Sequence, residues 1–276
     1  MEECSIIRYA ANQSLRNPLA SARFALVCNF WRRQHYLLND VDKLLKKMPH
    51  SLPDQMFEPR SHRLGFYTAR RSLRDNYVMA EVGSYKRFLH LVSTMPNVVV
   101  GDLGAHVGVI SVELALRGAR VIAVEPEYSN FKQLQLHCEL NNVSSRVECH
   151  RGAIVDCRKN TTALYKSSAS YGHTLECVEG RKPVKVPALY AGDILTSQLT
   201  ALKIDIEGTE YKIQDYIMNC RNLRVVVVEL HLESKARRKR AQDFVSFMSD
   251  GGFTCLTKPK LGQKHWHTLG LWVRDW

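Results

Sequence analysis

The sequence predicts an α/β fold built on a mostly parallel sheet of seven strands. Three observations predict it. From about residue 98 onward, strand-sized apolar runs alternate with helix-length segments, the pattern of a parallel sheet covered by helices on both faces. Residues 224–229 contain four consecutive valines, which is typical of a strand buried on both sides. A glycine-rich segment directly follows the first strand, where folds of this class bind ligands.

The individual elements follow from local signals along the chain. We predict strands at residues 97–102, 120–125, 146–150, 201–206 and 224–229, and a terminal antiparallel hairpin at 254–257 and 269–273 around Gly262. We predict helices at residues 107–117, 129–142, 209–219 and 235–249. Ser129 is the expected N-cap of the second helix, and Gly118 ends the first. We interpret residues 157–187 as an insertion over the active face that contributes to the choice of substrate.

The chain divides into two parts. Residues 91–276 carry the elements above and are expected to form one Rossmann-like domain. Residues 1–90 instead show helix-like apolar patterns broken by prolines at positions 49, 53 and 59. We predict that they form a basic, helical N-terminal extension, which packs on the core or supplies a lid or a partner surface.

Composition excludes several classes of protein. At 276 residues and 45% hydrophobic, the chain can bury a full core, which excludes a disordered or fibrous protein. No apolar run reaches the roughly 18 residues of a membrane-spanning helix, and the first residues lack a signal-peptide pattern. We therefore expect an intracellular protein, either cytoplasmic or nuclear. The 8 cysteines form no C-x-x-C pair, so neither a zinc site nor a disulfide framework is indicated.

The charge of the chain indicates a second kind of partner. The formal net charge is +12, and an excess of this size favours association with polyanions such as nucleic acids. The strongest basic cluster is KARRKR at residues 235–240. Such a run is either the solvated face of a helix, a surface that contacts phosphate groups or a localisation signal, and the pattern does not choose between them.

The glycine-rich segment VVVGDLGAHVG, residues 98–108, differs from a dinucleotide-binding loop. Its spacing is Asp102-x-Gly104-x-x-x-Gly108, with an acid at the strand end where the G-x-G-x-x-G pattern has its first glycine. A carboxylate there repels a pyrophosphate but suits a ligand with an ammonium group and hydroxyls. S-adenosylmethionine is such a ligand. Glu125 ends the second strand, where a carboxylate can accept hydrogen bonds from the two ribose hydroxyls.

At this point the sequence resembles the FkbM-type methyltransferases, which are class I S-adenosylmethionine-dependent enzymes, many of them methylating hydroxyl groups. The resemblance covers roughly residues 98–230, and residues 1–90 have no counterpart in it. His106 stands where the family usually has Asn, at a position that acts largely through its backbone. The motifs that carry the resemblance are DLGAHVG at 102–108, VEP at 124–126, GAIVD at 152–156 and LKIDIEGTE at 202–210.

The resemblance implies a set of cofactor-binding residues. The pocket for the methionine part would be shaped by Asp102, Gly104, Ala105, His106 and Gly108. Glu125 would hold the ribose. Ala153 and Asp156 would lie near the adenine, with Ala153 standing where many class I enzymes have the Asp that meets the adenine amine.

The active face is expected at the carboxyl ends of the strands. The residues placed there are Asp205, Glu207, Glu229 and His231. Methyl transfer to oxygen needs a base, for which Asp205 and His231 are the candidates, with Glu229 beside them. A divalent ion on the carboxylates would be chemically reasonable, but no spacing demands one, and we predict no metal. The acceptor is a hydroxyl-bearing compound that the sequence does not identify.

Two alternatives remain open. One is an RNA methyltransferase acting on a cap or ribose, since Lys86 and Asp205 could fill two places of a Lys-Asp-Lys-Glu tetrad, although Glu229-Leu230-His231 replaces the expected lysine. The other is a catalytically inactive RNA-binding module, which the intact donor-pocket residues argue against. Candidates for phosphate contact or base stacking are Arg70, Arg71, Arg74, Lys86, Arg87, Tyr67, Tyr77 and Tyr85.

Overall fold

The computed structural model describes residues 55–57, 65, 67–70, 75, 82–262 and 266–274. The strands in chain order are β1 (Gln55–Phe57), β2 (Thr68–Arg70), β3 (Val99–Leu103), β4 (Arg120–Glu125), β5 (Val147–Arg151), β6 (Ala153–Val155), β7 (Thr161–Tyr165), β8 (Pro183–Tyr190), β9 (Ala201–Ile204), β10 (Val225–His231), β11 (Thr254–Thr257) and β12 (His267–Val273). The α-helices are α1 (Lys86–Ser93), α2 (Val109–Leu116), α3 (Tyr128–Leu140), α4 (Ala191–Ile194), α5 (Gln214–Asn219) and α6 (Lys235–Asp250). Within these described residues, 3₁₀ helices lie at Val82–Tyr85 and Glu210–Lys212.

A seven-stranded sheet forms the centre of the fold, in the order β11-β12-β10-β9-β3-β4-β5. The strands β5, β4, β3, β9 and β10 are parallel, and β12 runs antiparallel between β10 and β11. These are the seven strands that the sequence predicts, with the terminal hairpin inserted at one edge. The α/β, Rossmann-like prediction is therefore confirmed.

Helices cover both faces of the sheet. Side chains of α1, α2 and α3 pack on one face, with Phe88, Leu114 and Leu134 among the buried residues. Side chains of α5 and α6 pack on the other, including Ile217 and Phe244. All seven residues of β10 are buried, because β9 and β12 flank it and helices cover both its faces.

The strand order reverses beside β3, and this reversal positions the site. From β3 the chain runs outward through β4 to β5, then returns to β9 on the other side of β3. The loops after β3 and β9 therefore diverge at their carboxyl ends and leave a crevice, which is where open α/β sheets bind ligands.

Several predicted boundaries shift, for identifiable reasons. β10 continues to His231 because β12 pairs with it as far as His267. β9 ends at Ile204, before a turn in which Glu207 has a positive φ of 55°. The predicted helix at 209–219 is divided between a 3₁₀ turn and α5. The N-cap of α3 is Glu127 instead of Ser129, since its carboxylate accepts the backbone N–H of Asn130.

The predicted insertion at 157–187 is partly regular. β7 pairs antiparallel with β8, and β8 pairs in parallel with β6, giving a three-stranded sheet of its own. The connection between β7 and β8 crosses the carboxyl edge of the main sheet. None of the described helices is both long enough and apolar enough to cross a bilayer.

The described part of the N-terminal region joins the main core. β1 and β2 form an antiparallel pair, so this stretch is not purely helical as predicted. Tyr67, Val82, Tyr85 and Phe88 are buried in the same cluster as the face of the main sheet. The predicted boundary at residue 90 lies inside α1, which packs on the sheet. The rest of the predicted helical extension lies outside the described residues.

Candidate active site

A cavity of about 310 Å³ opens at the carboxyl ends of the central strands. Its size lies at the lower end of the range typical for ligand pockets. Seven of the predicted site residues line it: Gly104, His106, Glu125, Ala153, Asp205, Glu229 and His231. Apolar side chains including Val124, Ile154 and Leu164 line one part, whereas acidic groups and histidines line another. The cavity thus combines an apolar slot with a charged end.

The glycine loop after β3 needs its glycines for close approach. The N–H groups of Gly104 and Ala105 both donate to the carbonyl oxygen of Val124, which folds the loop back over the end of β4. Gly104 has φ +79°, and a Cβ there would overlap the carbonyl oxygen of Asp205. Gly108 has φ +83° and lies against Leu134 of α3. Gly104 therefore lines the cavity, whereas Gly108 and Ala105 shape it from behind.

Glu125 is held in place from three directions. Its carboxylate accepts hydrogen bonds from the backbone N–H of His106 at 3.0 Å, the backbone N–H of Glu127 at 2.9 Å and the side-chain amide of Asn130 at 3.3 Å. Burial raises the pKa of Glu125 to about 7 despite these donors. The side chain lines the cavity with acceptor capacity left for a ligand's hydroxyl groups.

His106 connects the glycine loop to the insertion. Its φ of 52° lies in the left-handed region, and its Nε2 is 2.9 Å from the carbonyl oxygen of Ser170. Burial lowers the pKa of His106 to about 3, so the ring is neutral and Nε2–H donates to Ser170. Among the described residues, the buried Nδ1 has no hydrogen-bond partner. With the proton on Nε2, that atom is a buried acceptor.

Asp102 lies behind the cavity instead of lining it. The side chain is fully buried, accepts a hydrogen bond from the Ser111 hydroxyl at 2.6 Å and forms an ion pair with Lys203 at 3.2 Å. The structure therefore places this acid one layer back from the cavity, whose methionine part it was predicted to shape.

Lys203 is a buried residue next to the candidate site that the sequence interpretation missed. Its ammonium group donates to the carbonyl oxygen of Gly104 at 2.8 Å and lies 3.7 Å from Asp205. Burial opposes its charge, but Asp102 and Asp205 raise the pKa of Lys203 to about 12. One signal was available, because a lysine inside the apolar run of β9 requires a buried partner.

Of the two residues predicted to lie near the adenine, Ala153 and Asp156, only the first lines the cavity. Ala153 is buried and lines the apolar part of the cavity. Asp156 is exposed and is not among the lining residues; its carbonyl oxygen accepts a hydrogen bond from the Tyr216 hydroxyl at 2.9 Å.

The charged end of the cavity brings together the predicted catalytic residues. His231 Nε2 lies 3.1 Å from Glu207 Oε2 and 3.9 Å from Asp205 Oδ1. On its other side, His231 Nδ1 lies 3.1 Å from Glu210 Oε1. Burial raises the pKa of Asp205 well above its ordinary value, and the nearby Glu229 carboxylate adds to this rise. Asp205 is therefore a stronger base than an exposed aspartate.

The acids around His231 fix its protonation. Burial alone would lower its pKa, but the carboxylates of Glu210 and Glu207 raise the pKa of His231 well above its ordinary value. Burial likewise opposes ionisation of Glu207, yet the hydrogen bond and charge of His231 lower the pKa of Glu207. With these charges His231 is an imidazolium at neutral pH, which cannot accept a further proton.

Glu229 is bound by groups from opposite ends of the chain. The Tyr85 hydroxyl donates to its Oε2 at 3.1 Å, and His267 Nδ1 lies 2.5 Å from its Oε1. Burial opposes ionisation, but His267 and His231 lower the pKa of Glu229. Glu229 is thus ionised and well anchored, which makes it a weaker base than Asp205.

The insertion covers the cavity through backbone groups. The carbonyl oxygen of Ser170 accepts hydrogen bonds from His106 and Asn130. Gly172 N–H donates to Glu207 Oε1 at 2.9 Å, and the Thr174 hydroxyl donates to the Glu207 carbonyl oxygen at 2.8 Å. This segment therefore connects the Glu125 side of the cavity with the acidic end.

The basic residues singled out for RNA contact are mostly engaged within the chain. Arg237 pairs with Glu176 and Glu233, while Arg240 also pairs with Glu176. Lys239 pairs with Asp243 along α6. These partners agree with the solvated-face interpretation of the cluster at 235–240.

The aromatic and arginine candidates near the N-terminus have structural roles. Tyr67 and Tyr85 are buried in the core rather than exposed for stacking. Arg70 is buried against Asp75, Ser129 and Asn130. Arg87 donates to a backbone carbonyl, and Lys86 is exposed outside the cavity lining. Arg71, Arg74 and Tyr77 lie outside the described residues.

Comparison with known proteins identifies the family. A family model described as the methyltransferase FkbM domain matches residues 102–255. No curated protein matches the chain. Among solved structures, TYW2 of M. jannaschii in complex with AdoMet is 13% identical with a TM-score of 0.48, covering 83% of this chain and 90% of that one. Magnesium protoporphyrin IX methyltransferase of Synechocystis PCC 6803 with bound SAM is 14% identical with a TM-score of 0.44, covering 75% and 83%. Because the family model spans more than half of the 276 residues, the chain belongs to the FkbM methyltransferase domain family.

Proposed function

We propose that the protein binds S-adenosylmethionine and transfers its methyl group to a hydroxyl oxygen of an acceptor. The observation that carries this proposal is the cavity between Glu125 and Asp205. At one end Glu125 can accept hydrogen bonds from ribose hydroxyls, and at the other the Asp205 carboxylate has a raised pKa. Family membership supports the methyl transfer. The proposal that the methyl group goes to an oxygen atom rests on the acidic end of the cavity.

The lining residues fit the donor. Gly104, Glu125 and His106 line the cavity, and Glu125 has acceptor capacity for two ribose hydroxyls. Val124 and Ile154 offer apolar surface for a purine ring. When bound, S-adenosylmethionine supplies an electrophilic methyl group: the acceptor oxygen bonds to the methyl carbon as the carbon–sulfur bond breaks, and the electron pair stays on sulfur.

Asp205 is our candidate for the base that takes the acceptor's proton. Its raised pKa brings it closer to the working pH than that of an exposed aspartate, which favours proton transfer. Lys203 and His231 flank Asp205 and offset the negative charge of the ionised carboxylate. Glu229 and His231 position this group, with Tyr85 and Glu210 holding them from behind.

Calorimetric titration with S-adenosylmethionine and its demethylated product tests donor binding. We expect saturable binding by the wild type and loss of binding in Glu125→Ala, while Glu148→Ala, at an exposed strand position, keeps it. Absence of binding by folded wild type would overturn the donor assignment.

The hydroxyl specificity needs a separate experiment. With labelled donor and a panel of hydroxyl and amine acceptors, we expect methyl ethers as products. Asp205→Asn should lower turnover by at least about 100-fold, in the range typical for general bases, while leaving donor binding intact. Methylamine products, or unchanged turnover in Asp205→Asn, would contradict the assignment.

A further inference from the structure

Three side chains at the acidic end of the cavity bring one possible ligand atom each close together. The atoms are Asp205 Oδ1, Glu207 Oε2 and His231 Nε2, and the ligand atoms of this group lie within 4.8 Å of one another. Two ligands of one cation at bond lengths of about 2.1 Å stand about 3 to 4 Å apart. The set is therefore close to the spacing of a coordination sphere, since His231 Nε2 lies 3.1 Å from Glu207 Oε2 and 3.9 Å from Asp205 Oδ1.

The other polar atom of each side chain is held by a different group. Glu207 Oε1 accepts the backbone N–H of Gly172, and Asp205 Oδ2 faces Lys203 at 3.7 Å. His231 Nδ1 faces the fully buried Glu210, whose second oxygen accepts the backbone N–H of Gly208. A carboxylate on the far nitrogen of a histidine is the usual outer partner of a metal-binding imidazole, because it fixes the ring's orientation and tautomer.

The local charge balance also favours a cation. Among the described residues, Asp205 and Glu207 face His231 Nε2, Glu229 lies near Asp205, and Glu210 lies behind the ring at Nδ1. The described positive groups near them are Lys203, His231 and His267. His231 Nε2 lies 3.1 Å from Glu207 Oε2, at the place where a cation would bind.

We propose that Asp205, Glu207 and His231 form a binding site for one divalent cation. The mixed oxygen and nitrogen ligands suit borderline ions such as Mn²⁺ better than Ca²⁺, which prefers oxygen alone. From the sequence a divalent ion on these carboxylates was chemically reasonable, but no metal was predicted, since the spacing of residues 205, 207 and 231 matches no metal motif. Its role rests on the proposed function: the cation would hold the acceptor hydroxyl and make it more acidic, and the oxygen of Asp205 that does not bind the cation would take the proton.

Binding of Mn²⁺ tests the site without any turnover. The purified chain is treated with a chelator and titrated with Mn²⁺ by calorimetry and by electron paramagnetic resonance. We expect one Mn²⁺ per chain. Glu207→Gln and His231→Gln should each weaken binding at least about 10-fold, and the outer partner variant Glu210→Gln about 10- to 100-fold. His231→Gln should also remove the nitrogen coupling from the resonance spectrum.

A matched control distinguishes binding at this site from non-specific binding of Mn²⁺ to surface carboxylates. Asp193→Asn removes a carboxylate from an exposed ion pair with Arg158, remote from the cavity lining, and should leave Mn²⁺ binding unchanged. Circular dichroism monitors folding, and Glu207→Gln, the half-buried ligand, keeps the test usable if His231→Gln fails to fold. Binding with equal affinity in the wild type and in all three site variants, or no binding by the wild type, overturns the proposal.

The cation and the methyl donor are distinguishable by separate titrations. Donor binding without Mn²⁺ binding would overturn the cation site and leave the proposed function standing. Mn²⁺ binding that depends on Glu207, with no donor binding, would support the cation site and overturn the proposed function.

Discussion

Glu125 and Lys203 are both buried ionisable residues, and their surroundings shift their pKa values by different routes. Glu125 receives only neutral N–H donors, so burial dominates and raises its pKa to about 7. Lys203 faces two carboxylates, so its pKa rises to about 12 although burial opposes the charge. The nature of the nearest partner therefore decides whether a buried group keeps its charge at neutral pH.

The raised pKa of Glu125 predicts a pH dependence of stability. Between its ordinary value of 4.5 and about 7, the folded chain holds a proton that the unfolded chain has lost. The free energy of unfolding should therefore fall as pH rises through this window and level off above it, by roughly 3 kcal/mol in total. Glu125→Gln lacks this proton equilibrium. Denaturant titrations of both proteins from pH 4 to 8.5 check the difference, and a constant difference would contradict it.

The ion pairs of Lys203 predict a large effect of its removal. Lys203→Met leaves the buried Asp102 without its cation and removes one of the two that flank Asp205, so we expect a loss of roughly 3 to 5 kcal/mol in the free energy of unfolding. The double variant Asp102→Asn, Lys203→Met should be more stable than the single lysine variant, since it removes the unpaired charge as well. Equal stability of the two variants in urea would argue against the pairing.

At the scale of elements, the turn after β3 depends on a close approach between two loops. Gly104→Ala adds a Cβ that meets the Asp205 carbonyl oxygen, in addition to the strain of a positive φ. Gly180 has nearly the same φ, +78°, but open space around it, so Gly180→Ala should show the strain alone, about 1 kcal/mol.

The comparison of these two variants isolates the effect of close approach. Gly104→Ala should be the more destabilised in thermal unfolding, and it should also lose donor binding because the loop after β9 moves. The closeness of the two loops would be refuted by equal stabilities together with intact donor binding.

The strands and helices were predicted correctly where the signals, hydrophobic periodicity and turn residues, are local in the sequence. The alternation of strands and helices, the glycine turn and the buried valine strand all follow from residues within a few positions of one another. The prediction failed where a partner strand determines the boundary of an element. For example, β10 reaches His231 only because β12 pairs alongside it. The N-cap of α3 shifted for a similar reason, since Glu127 was in a position to accept the N–H of Asn130.

At the scale of the whole molecule, the net charge of +12 predicts weak, non-specific retention on RNA. Because Arg237, Lys239 and Arg240 pair within the chain, little of the basic cluster on α6 is expected to contact phosphates. We expect retention to disappear at moderate salt, and Lys239→Ala with Arg240→Ala to change it less than about 3-fold. Retention that resists salt and depends on these residues would favour the RNA alternative.

The sequence by itself determined the order and type of the main elements, the glycine loop and the family, because these depend on short-range patterns. Only the tertiary structure decided which side chains meet. Asp102 and Lys203 are register partners on neighbouring strands, yet about a hundred residues separate them in sequence. The contacts of Glu210 with His231 and of Ser170 with His106 likewise depend on how loops from distant segments meet at one edge of the sheet. Local patterns specify each strand, but the sheet order and the insertion specify the site.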